Sequence, residues 1–150
     1  MNKQDIEQIE AELKLKLPSF YSDQMLDYPF KGWDCEDWML CNDPQEIIRQ
    51  NNENRKGGFF DTDWPNHFFI IGFDGCGNYY FIDLETNKER VYFADHESHF
   101  DPSDPSKLEE IYESMDAYFA CIKEVEEDMR SAELNSSTSV VKKKWWQFWK

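Results

Sequence analysis

Residues 68–84 read FFIIGFDGCGNYYFIDL, and this stretch decides the fold. Two runs of β-forming apolar residues, 68–73 and 79–84, flank the segment 74–78, whose Asp, Gly and Asn residues are typical of a tight turn. After a second short turn, the segment 90–94 reads RVYFA and is again rich in β-forming residues. Three such strands joined by short turns predict an antiparallel meander at the centre of the chain.

Helices are predicted before this meander. Apolar residues spaced three and four apart predict a helix over 6–18, which the proline at its last position ends, and a second short helix follows over 19–26. Asp43 as the N-cap and Pro44 as the first helical residue predict the start of a third helix, which runs to about Asn54.

A long helix is predicted after the meander, over 104–130, with Asp104 as its N-cap and Pro105 in the first helical position. Eight apolar residues repeat along it with a helical period: Leu108, Ile111, Tyr112, Met115, Phe119, Ile122, Val125 and Met129. Ahead of the third helix, the segment 38–40, Trp-Met-Leu, is a candidate short strand. This order of elements predicts an α+β fold in a single domain.

The charge of the chain is large and unevenly distributed. The 150 residues include 31 acidic and 16 basic side chains, a formal net charge of −15. Residues 1–141 contain every acid and 12 of the bases, a charge of −19, whereas residues 142–150, KKKWWQFWK, contain four lysines and no acid. A body this acidic repels phosphates, which argues against direct nucleic-acid binding, and it attracts basic partners.

Composition excludes several other classes of protein. Aromatic residues make up 17% of the chain, far more than in a disordered acidic segment. The sequence contains no run of 18 apolar residues that could cross a membrane as a helix. Its first ten residues, MNKQDIEQIE, lack the apolar segment of a secretory signal peptide, so we expect a cytoplasmic protein.

The cysteines and glycines do not indicate a cofactor. Cys35, Cys41, Cys76 and Cys121 contain no CxxC pair and fit no zinc spacing, so free, reduced thiols are expected in the cytosol. The Gly-Cys-Gly at 75–77 precedes a strand, whereas a dinucleotide-binding loop precedes a helix. We therefore interpret it as a turn and expect no bound cofactor.

Asp95-His96-Glu97-Ser98-His99 is the strongest candidate for a metal or catalytic cluster. The two histidines are three residues apart at the end of a strand, which is not the helical spacing of a zinc protease. A metal site would need further ligands, such as Asp101. A metal-dependent hydrolase centred on His96 and His99 therefore remains an alternative to a surface role, and no metal is expected.

Three segments together resemble a known family. They are IEQIEAELKLKLP at 6–18, DWPNHFFIIGFDGCGNYYFIDL at 63–84 and VYFADHES at 91–98. In this order they resemble the SUKH superfamily, which includes the Smi/Knr cell-wall regulators of fungi and many bacterial immunity proteins. The resemblance covers about residues 5–130. It implies a twisted antiparallel sheet with N-terminal helices and a long C-terminal helix.

The resemblance also implies a function. Bacterial members are typically non-enzymatic proteins that neutralise secreted polymorphic toxins, many of them nucleases. The acidic body suits this role, because carboxylates can occupy a site built to hold phosphates. We expect a cytoplasmic immunity protein that binds a basic cognate toxin by acidic-surface occlusion, and the alternative within the family is a regulatory or scaffold module. The candidate partner contacts are Asp61, Asp63, Trp64, Asp74, Asp95, His96 and Glu97.

The end of the chain forms a separate region. We expect the SUKH-like domain over 1–132, a Ser/Thr-rich flexible linker over 133–141 and a basic aromatic tail over 142–150. Tryptophan and lysine together favour the surface of an anionic membrane, although nine residues cannot span one. Docking onto the acidic domain itself or onto a partner protein are the alternatives. The tail residues concerned are Lys142, Lys143, Lys144, Trp145, Trp146, Phe148, Trp149 and Lys150.

Overall fold

The computed structural model describes most of the chain as far as residue 131, namely residues 1–28, 39–86, 88–98, 100–104, 107–125, 127–128 and 130–131. Contacts between Cα atoms group the chain into two compact units, Met1–Tyr118 and Phe119–Lys150. The first unit contains the four strands and the first three helices that the described residues form. The described residues of the second unit are helical. The predicted linker and tail lie outside the described residues.

Four antiparallel strands form one sheet in the order β1-β2-β3-β4. They are β1 (Phe68–Phe73), β2 (Tyr79–Asp83), β3 (Val91–Ala94) and β4 (Glu109–Tyr112). The first three are the predicted meander, which is confirmed to within one residue at each end. The predicted α+β class is confirmed with it.

One face of the sheet carries an aromatic cluster. Ile70 lies opposite Phe81, and Phe81 lies opposite Tyr92, so their side chains share this face. The cluster consists of Phe59, Trp64, Phe68, Ile70, Phe81, Tyr92, Ala94 and Phe100. On the other face Phe69 and Ile82 are also fully buried. Burial on both faces explains why β1 is a continuous apolar run rather than an alternating one.

Three helices precede the sheet: α1 (Lys3–Leu13), α2 (Ser19–Leu26) and α3 (Pro44–Gly57). The predicted end of the first helix at Pro18 is wrong. The chain leaves the helix at Lys14, which has a left-handed φ of 54°, and the Glu10 carboxylate accepts a hydrogen bond from the Leu17 N–H at 3.0 Å. No helix among the described residues is long and apolar enough to cross a membrane.

The start of α3 is as predicted. The Asp43 carboxylate accepts hydrogen bonds from the N–H groups of Gln45 and Glu46, and Pro44 is in the first helical position. The helix extends to Gly57, three residues beyond the predicted end. Of the candidate short strand at 38–40, the two described residues, 39 and 40, lie in a bend, and Trp38 lies outside the described residues.

The predicted helix over 104–130 is wrong in its first part. Residues 109–112 form β4 instead, with Tyr112 opposite Val91 and Glu109 opposite Phe93. The last helix, α4, begins at residue 115 and includes residues 115–125, 127–128 and 130–131. Its N-cap is Ser114, whose hydroxyl accepts a hydrogen bond from the Ala117 N–H at 3.1 Å. Its residues Met115, Phe119 and Ile122 are buried, as the apolar stripe predicts.

The outer edge of β1 is closed by two other parts of the chain, and we call this region the covered edge. The buried Asn51 of α3 donates to the Ile70 carbonyl at 3.0 Å and accepts from the Ile70 N–H at 2.9 Å. Next along the strand, the Cys41 N–H donates to the Ile71 carbonyl at 2.8 Å. The Met39 carbonyl lies so close to Gly72 that a Cβ there would overlap it. These contacts satisfy backbone groups that an edge strand would otherwise leave open.

Candidate functional site

Three turns meet at one end of the sheet. In an antiparallel meander the end of β1, the start of β2 and the end of β3 lie side by side. The turn 74–78 joins β1 to β2, and the turn 95–98 follows β3. A third turn, 59–62, reaches the same place, since a Cβ built on Gly77 would lie 3.4 Å from the Phe60 ring and 3.7 Å from the His96 ring. We call this region the sheet end.

A chain of hydrogen bonds organises the sheet end around Asn78. Its Oδ1 accepts a hydrogen bond from the His96 N–H at 2.9 Å and lies 2.7 Å from His96 Nδ1. Its Nδ2 donates to Asp74 Oδ2 at 2.6 Å. Asp74 Oδ1 in turn accepts from the Cys76 N–H at 2.8 Å. The two turns, and the imidazole between them, are therefore held in one arrangement.

The hydrogen bonds to Asp74 also affect its ionisation. Partial burial raises the pKa of this carboxyl, but hydrogen bonds from the Asn78 side chain and from the N–H groups of Cys76 and Asn78 lower it by more, so that the pKa lies below its ordinary value. Asp74 is therefore ionised at neutral pH and contributes a full negative charge to the sheet end.

The turn 59–62 presents an aromatic side chain on a strained backbone. Phe59 and Thr62 exchange two backbone hydrogen bonds across it, of 2.6 and 3.0 Å. Its two central residues, Phe60 and Asp61, both have positive φ, 46° and 68°. An aspartate tolerates this conformation, but a phenylalanine does so at a cost of about 1–2 kcal/mol. Even so, Phe60 is 62% exposed and is the most exposed large apolar side chain among the described residues.

Phe60 packs against His96, and we call these two residues the aromatic pair. Their ring centroids are 5.0 Å apart, with the planes inclined at 35°. The turn beneath is anchored by Phe59, which is buried and makes edge contacts with Trp64, Tyr79 and Phe100. The exposed Phe60 ring therefore follows directly on a residue that is fixed in the core.

Several carboxylates lie near the aromatic pair. Asp95 Oδ1 lies 4.0 Å from His96 Nδ1, and Glu97 Oε1 lies 3.9 Å from His96 Nε2. Asp61 adjoins Phe60 in the turn, and Asp74 reaches His96 through Asn78. We call Asp61, Asp74, Asp95 and Glu97 the acidic ring. Among the described residues none of the four forms an ion pair with a lysine or arginine, whereas Glu10, Glu46, Glu110 and Asp101 do.

The structure therefore brings together five of the seven predicted contact residues: the acidic ring and His96. Asp63 is exposed a short way along the chain from Phe60. Trp64 is only 4% exposed, and its indole N–H donates to the Phe68 carbonyl at 3.3 Å, so it is a core residue that supports the turn.

Sequence reasoning missed Phe60 and Asn78. An exposed phenylalanine in a left-handed turn contradicts local preference, which favours asparagine or glycine there. Asn78 looked like an ordinary turn residue, and only the contact across two turns reveals its role.

The described residues offer little for metal or thiol chemistry. No three His, Cys, Asp or Glu side chains among them are arranged to hold a metal ion, and His99 lies outside them. Burial, together with the charges of Asp43 and Glu46, raises the pKa of the Cys41 thiol to about 11, although a hydrogen bond to the Asp43 backbone opposes this. Cys41 and Cys76 are free thiols, and Cys35 lies outside the described residues.

Comparison with known proteins identifies the family. A search of curated proteins and a search of solved structures found no significant match. A family model does match, that of the SMI1 / KNR4 family (SUKH-1), over residues 1–121. This range includes the three N-terminal helices, the four strands and the whole sheet end. Because the match covers most of the sequence, the chain belongs to the SMI1 / KNR4 family (SUKH-1).

Proposed function

We propose that this protein is an immunity protein, which binds a secreted toxin in the cytoplasm and so protects the cell that produces it. Membership of the SUKH family is consistent with an immunity-type protein, and SUKH domains are generally non-catalytic. The observation that carries the proposal is the acidic ring: four carboxylates at the sheet end, beside the exposed Phe60 and the half-buried His96, that have no lysine or arginine partner among the described residues.

The charge of this surface favours a nuclease as the toxin. A nuclease site presents cationic groups that hold phosphates, and a cluster of carboxylates can occupy the same groups. The body of residues 1–141, with its charge of −19, adds a long-range field of the same sign. That field speeds encounter with a basic protein and repels the nucleic acid on which the toxin acts.

The test uses a toxin domain encoded beside the gene. Cells that express the toxin should survive when they also express the full chain, and the purified chain should bind the toxin and inhibit it. Inhibition without binding, or survival without either, would contradict the proposal. Absence of any toxin that the chain binds would favour the regulatory or scaffold role known from fungal members of the family.

Charge is tested by a matched pair of variants. In the ring variant, Asp61→Asn and Glu97→Gln remove two charges from the sheet end, and in the control, Glu7→Gln and Glu12→Gln remove two from exposed positions of α1. The ring variant should lower the association rate and its dependence on salt, because electrostatic steering is screened over about 8 Å at physiological ionic strength. Equal effects of the two variants would show that only the net charge matters.

For the tail at 142–150 we propose contact with an anionic membrane surface. Four lysines each contribute about 1 kcal/mol near anionic lipid, and the tryptophans favour the interface. Self-docking and docking to a partner are the other outcomes. Vesicles of phosphatidylserine and phosphatidylcholine should sediment with the full chain and shift its tryptophan emission to the blue, but not with a chain that ends at Val141. Equal behaviour of the two chains would exclude membrane binding.

A further inference from the structure

We infer that the aromatic pair, Phe60 with His96, is the binding hot spot of the sheet end, and that its occupant is an arginine side chain of a basic protein partner. This inference deepens the proposed function, because the toxin would be that partner. It is argued from the exposure of Phe60, from its rigid support and from the charge around it.

The position of Phe60 is unfavourable for the stability of the fold. The side chain is 62% exposed, and its backbone has a positive φ that glycine or asparagine would adopt with less strain. The preceding residue, Phe59, already anchors the turn in the aromatic cluster. Strained backbone that does not serve the core is typical of functional sites. The second phenylalanine of this turn is therefore better explained by binding than by folding.

The aromatic pair is organised before any partner arrives. His96 is held by Asn78 through its N–H, and its ring supports one side of Phe60 at 5.0 Å. Gly77 lies beside both rings, and its φ of 100° favours glycine at this point of the turn. Binding would thus order few additional side chains, which is the condition for a small surface to bind tightly.

The surroundings select the chemistry of the occupant. A hot spot has an apolar or aromatic centre, and here that centre lies beside carboxylates: Asp95 and Glu97 approach the His96 ring, and Asp61 follows Phe60 in the turn. A guanidinium group can stack on an aromatic face and donate paired hydrogen bonds to a carboxylate at once. A lysine ammonium is a compact charge that does not reproduce both contacts. The geometry therefore favours arginine.

The first test measures toxin affinity with the full chain and single variants. Phe60→Gly should weaken binding at least about 30-fold, as the loss of a hot spot does, and Phe60→Tyr should retain it. The matched control is Leu26→Ala, which alters another exposed apolar side chain, 39% exposed, on α2, and should change affinity less than about twofold. If the chain binds the toxin and Phe60→Gly leaves the affinity unchanged, the inference is wrong and the proposed function stands.

The second test does not depend on a toxin. The probe is the peptide acetyl-Gly-Arg-Gly-Arg-Gly-amide, and the control is the same peptide with both arginines replaced by lysine. Binding of each peptide is measured from changes in the amide chemical shifts of the protein. The arginine peptide should give saturable shifts, larger than those from the lysine peptide, at the amides of Gly75, Gly77, Asn78 and Glu97. These shifts should disappear in Phe60→Gly. The inference would be overturned by shifts that are spread evenly over the helices α1 to α3, or by shifts that Phe60→Gly does not change. Either result would leave open that the toxin binds at another surface of the protein.

Discussion

The covered edge and the sheet end both depart from ordinary backbone geometry, but with opposite results. At the covered edge, Gly72 lets the chain at Met39 approach β1, and Asn51 satisfies the strand's backbone groups, so the region is closed. At the sheet end, Phe60 adopts a strained conformation and leaves most of its side chain in solvent. The close approach at Gly72 buries the edge of β1, whereas the positive φ of Phe60 keeps its side chain exposed.

This difference indicates which irregularity serves the fold. A substitution at the covered edge should lower stability, because it removes a contact that nothing else replaces. At the sheet end, a substitution of Phe60 should leave stability the same or raise it, and its effect should appear in binding.

Gly72→Ala should have the largest effect. The new Cβ would overlap the Met39 carbonyl and lie 2.8 Å from the Leu40 nitrogen, both of them backbone atoms that no side-chain rotation can move away. We expect a loss of more than about 4 kcal/mol in the free energy of unfolding, measured by urea denaturation. The control is Gly75→Ala, where the space is open but φ is positive at 74°, with an expected loss of about 1–2 kcal/mol. Equal losses would show that the approach of Met39 is not required.

Asn51→Ala should be the next most damaging change. It leaves the N–H and carbonyl of Ile70 without their partner in a buried position, for an expected loss of about 3 kcal/mol. Asn54→Ala is the control, since the Asn54 side-chain amide donates to the Gln50 carbonyl of its own helix and bridges to no strand among the described residues. Amide hydrogen exchange should identify Ile70 as the site that loses protection in Asn51→Ala. Unchanged exchange at Ile70 would contradict the role given to Asn51.

Phe60→Gly should change the free energy of unfolding in the opposite direction and stabilise the protein. Relief of the positive φ should raise the free energy of unfolding by less than about 1 kcal/mol, because the loss of the ring contacts with Phe59 and His96 and glycine's greater freedom in the unfolded chain offset part of the gain. Thermal and urea unfolding of the variant measure it directly. A loss of more than about 2 kcal/mol would place Phe60 among the residues that hold the fold together, and the contrast between the two regions would fail.

Asp74→Asn should have the smallest effect, and it should depend on pH. The folded-state pKa of Asp74 is lowered, so its ionised form stabilises the fold above about pH 4, and this contribution is lost as the pH falls through the folded-state pKa. We expect Asp74→Asn to lower the free energy of unfolding at neutral pH by less than about 1 kcal/mol, because the carboxyl is partly exposed. Unfolding curves from pH 7 to pH 2.5 should converge for the wild type and the variant at the acid end. Parallel curves would contradict the pKa direction.

Local chemistry was enough to predict part of the fold. The strands β1 to β3 are dense in β-forming residues and are separated by glycine-rich or polar turns, which leave one arrangement for each. The N-terminus of α3 is likewise a local matter, because Asp43 and Pro44 act on neighbouring backbone groups. Both predictions were correct for this reason.

The fourth strand could not be predicted in this way. The sequence LEEIY at 108–112 has apolar residues that fit the helical stripe continuing into α4. Its structure is decided by hydrogen bonds to β3, where Tyr112 lies opposite Val91. Sheet pairing between residues about 20 apart in sequence overrides a local pattern that also fits a helix.

Some features of the candidate site could likewise be predicted from the sequence, and others could not. The turns after β1 and β3 are local features, so the sequence alone places Asp74 and the 95–97 segment at neighbouring strand ends, and their role in binding stays a prediction. The burial of Trp64 and the exposure of Phe60 were not found, since both contradict what each residue's neighbours in sequence suggest. Their places depend on which side of the turn 59–62 faces the aromatic cluster.

By itself, the sequence determined the α+β class, the three-stranded meander, the excess of negative charge and the resemblance to the SUKH superfamily, because each follows from composition or from short-range pattern. Only the tertiary structure decided that residues 109–112 complete the sheet, that Gly72 admits the chain at Met39, and that Phe60 meets His96 beside the acidic ring. These features join residues from separate turns and strands, and their energies depend on distances that only the folded chain establishes.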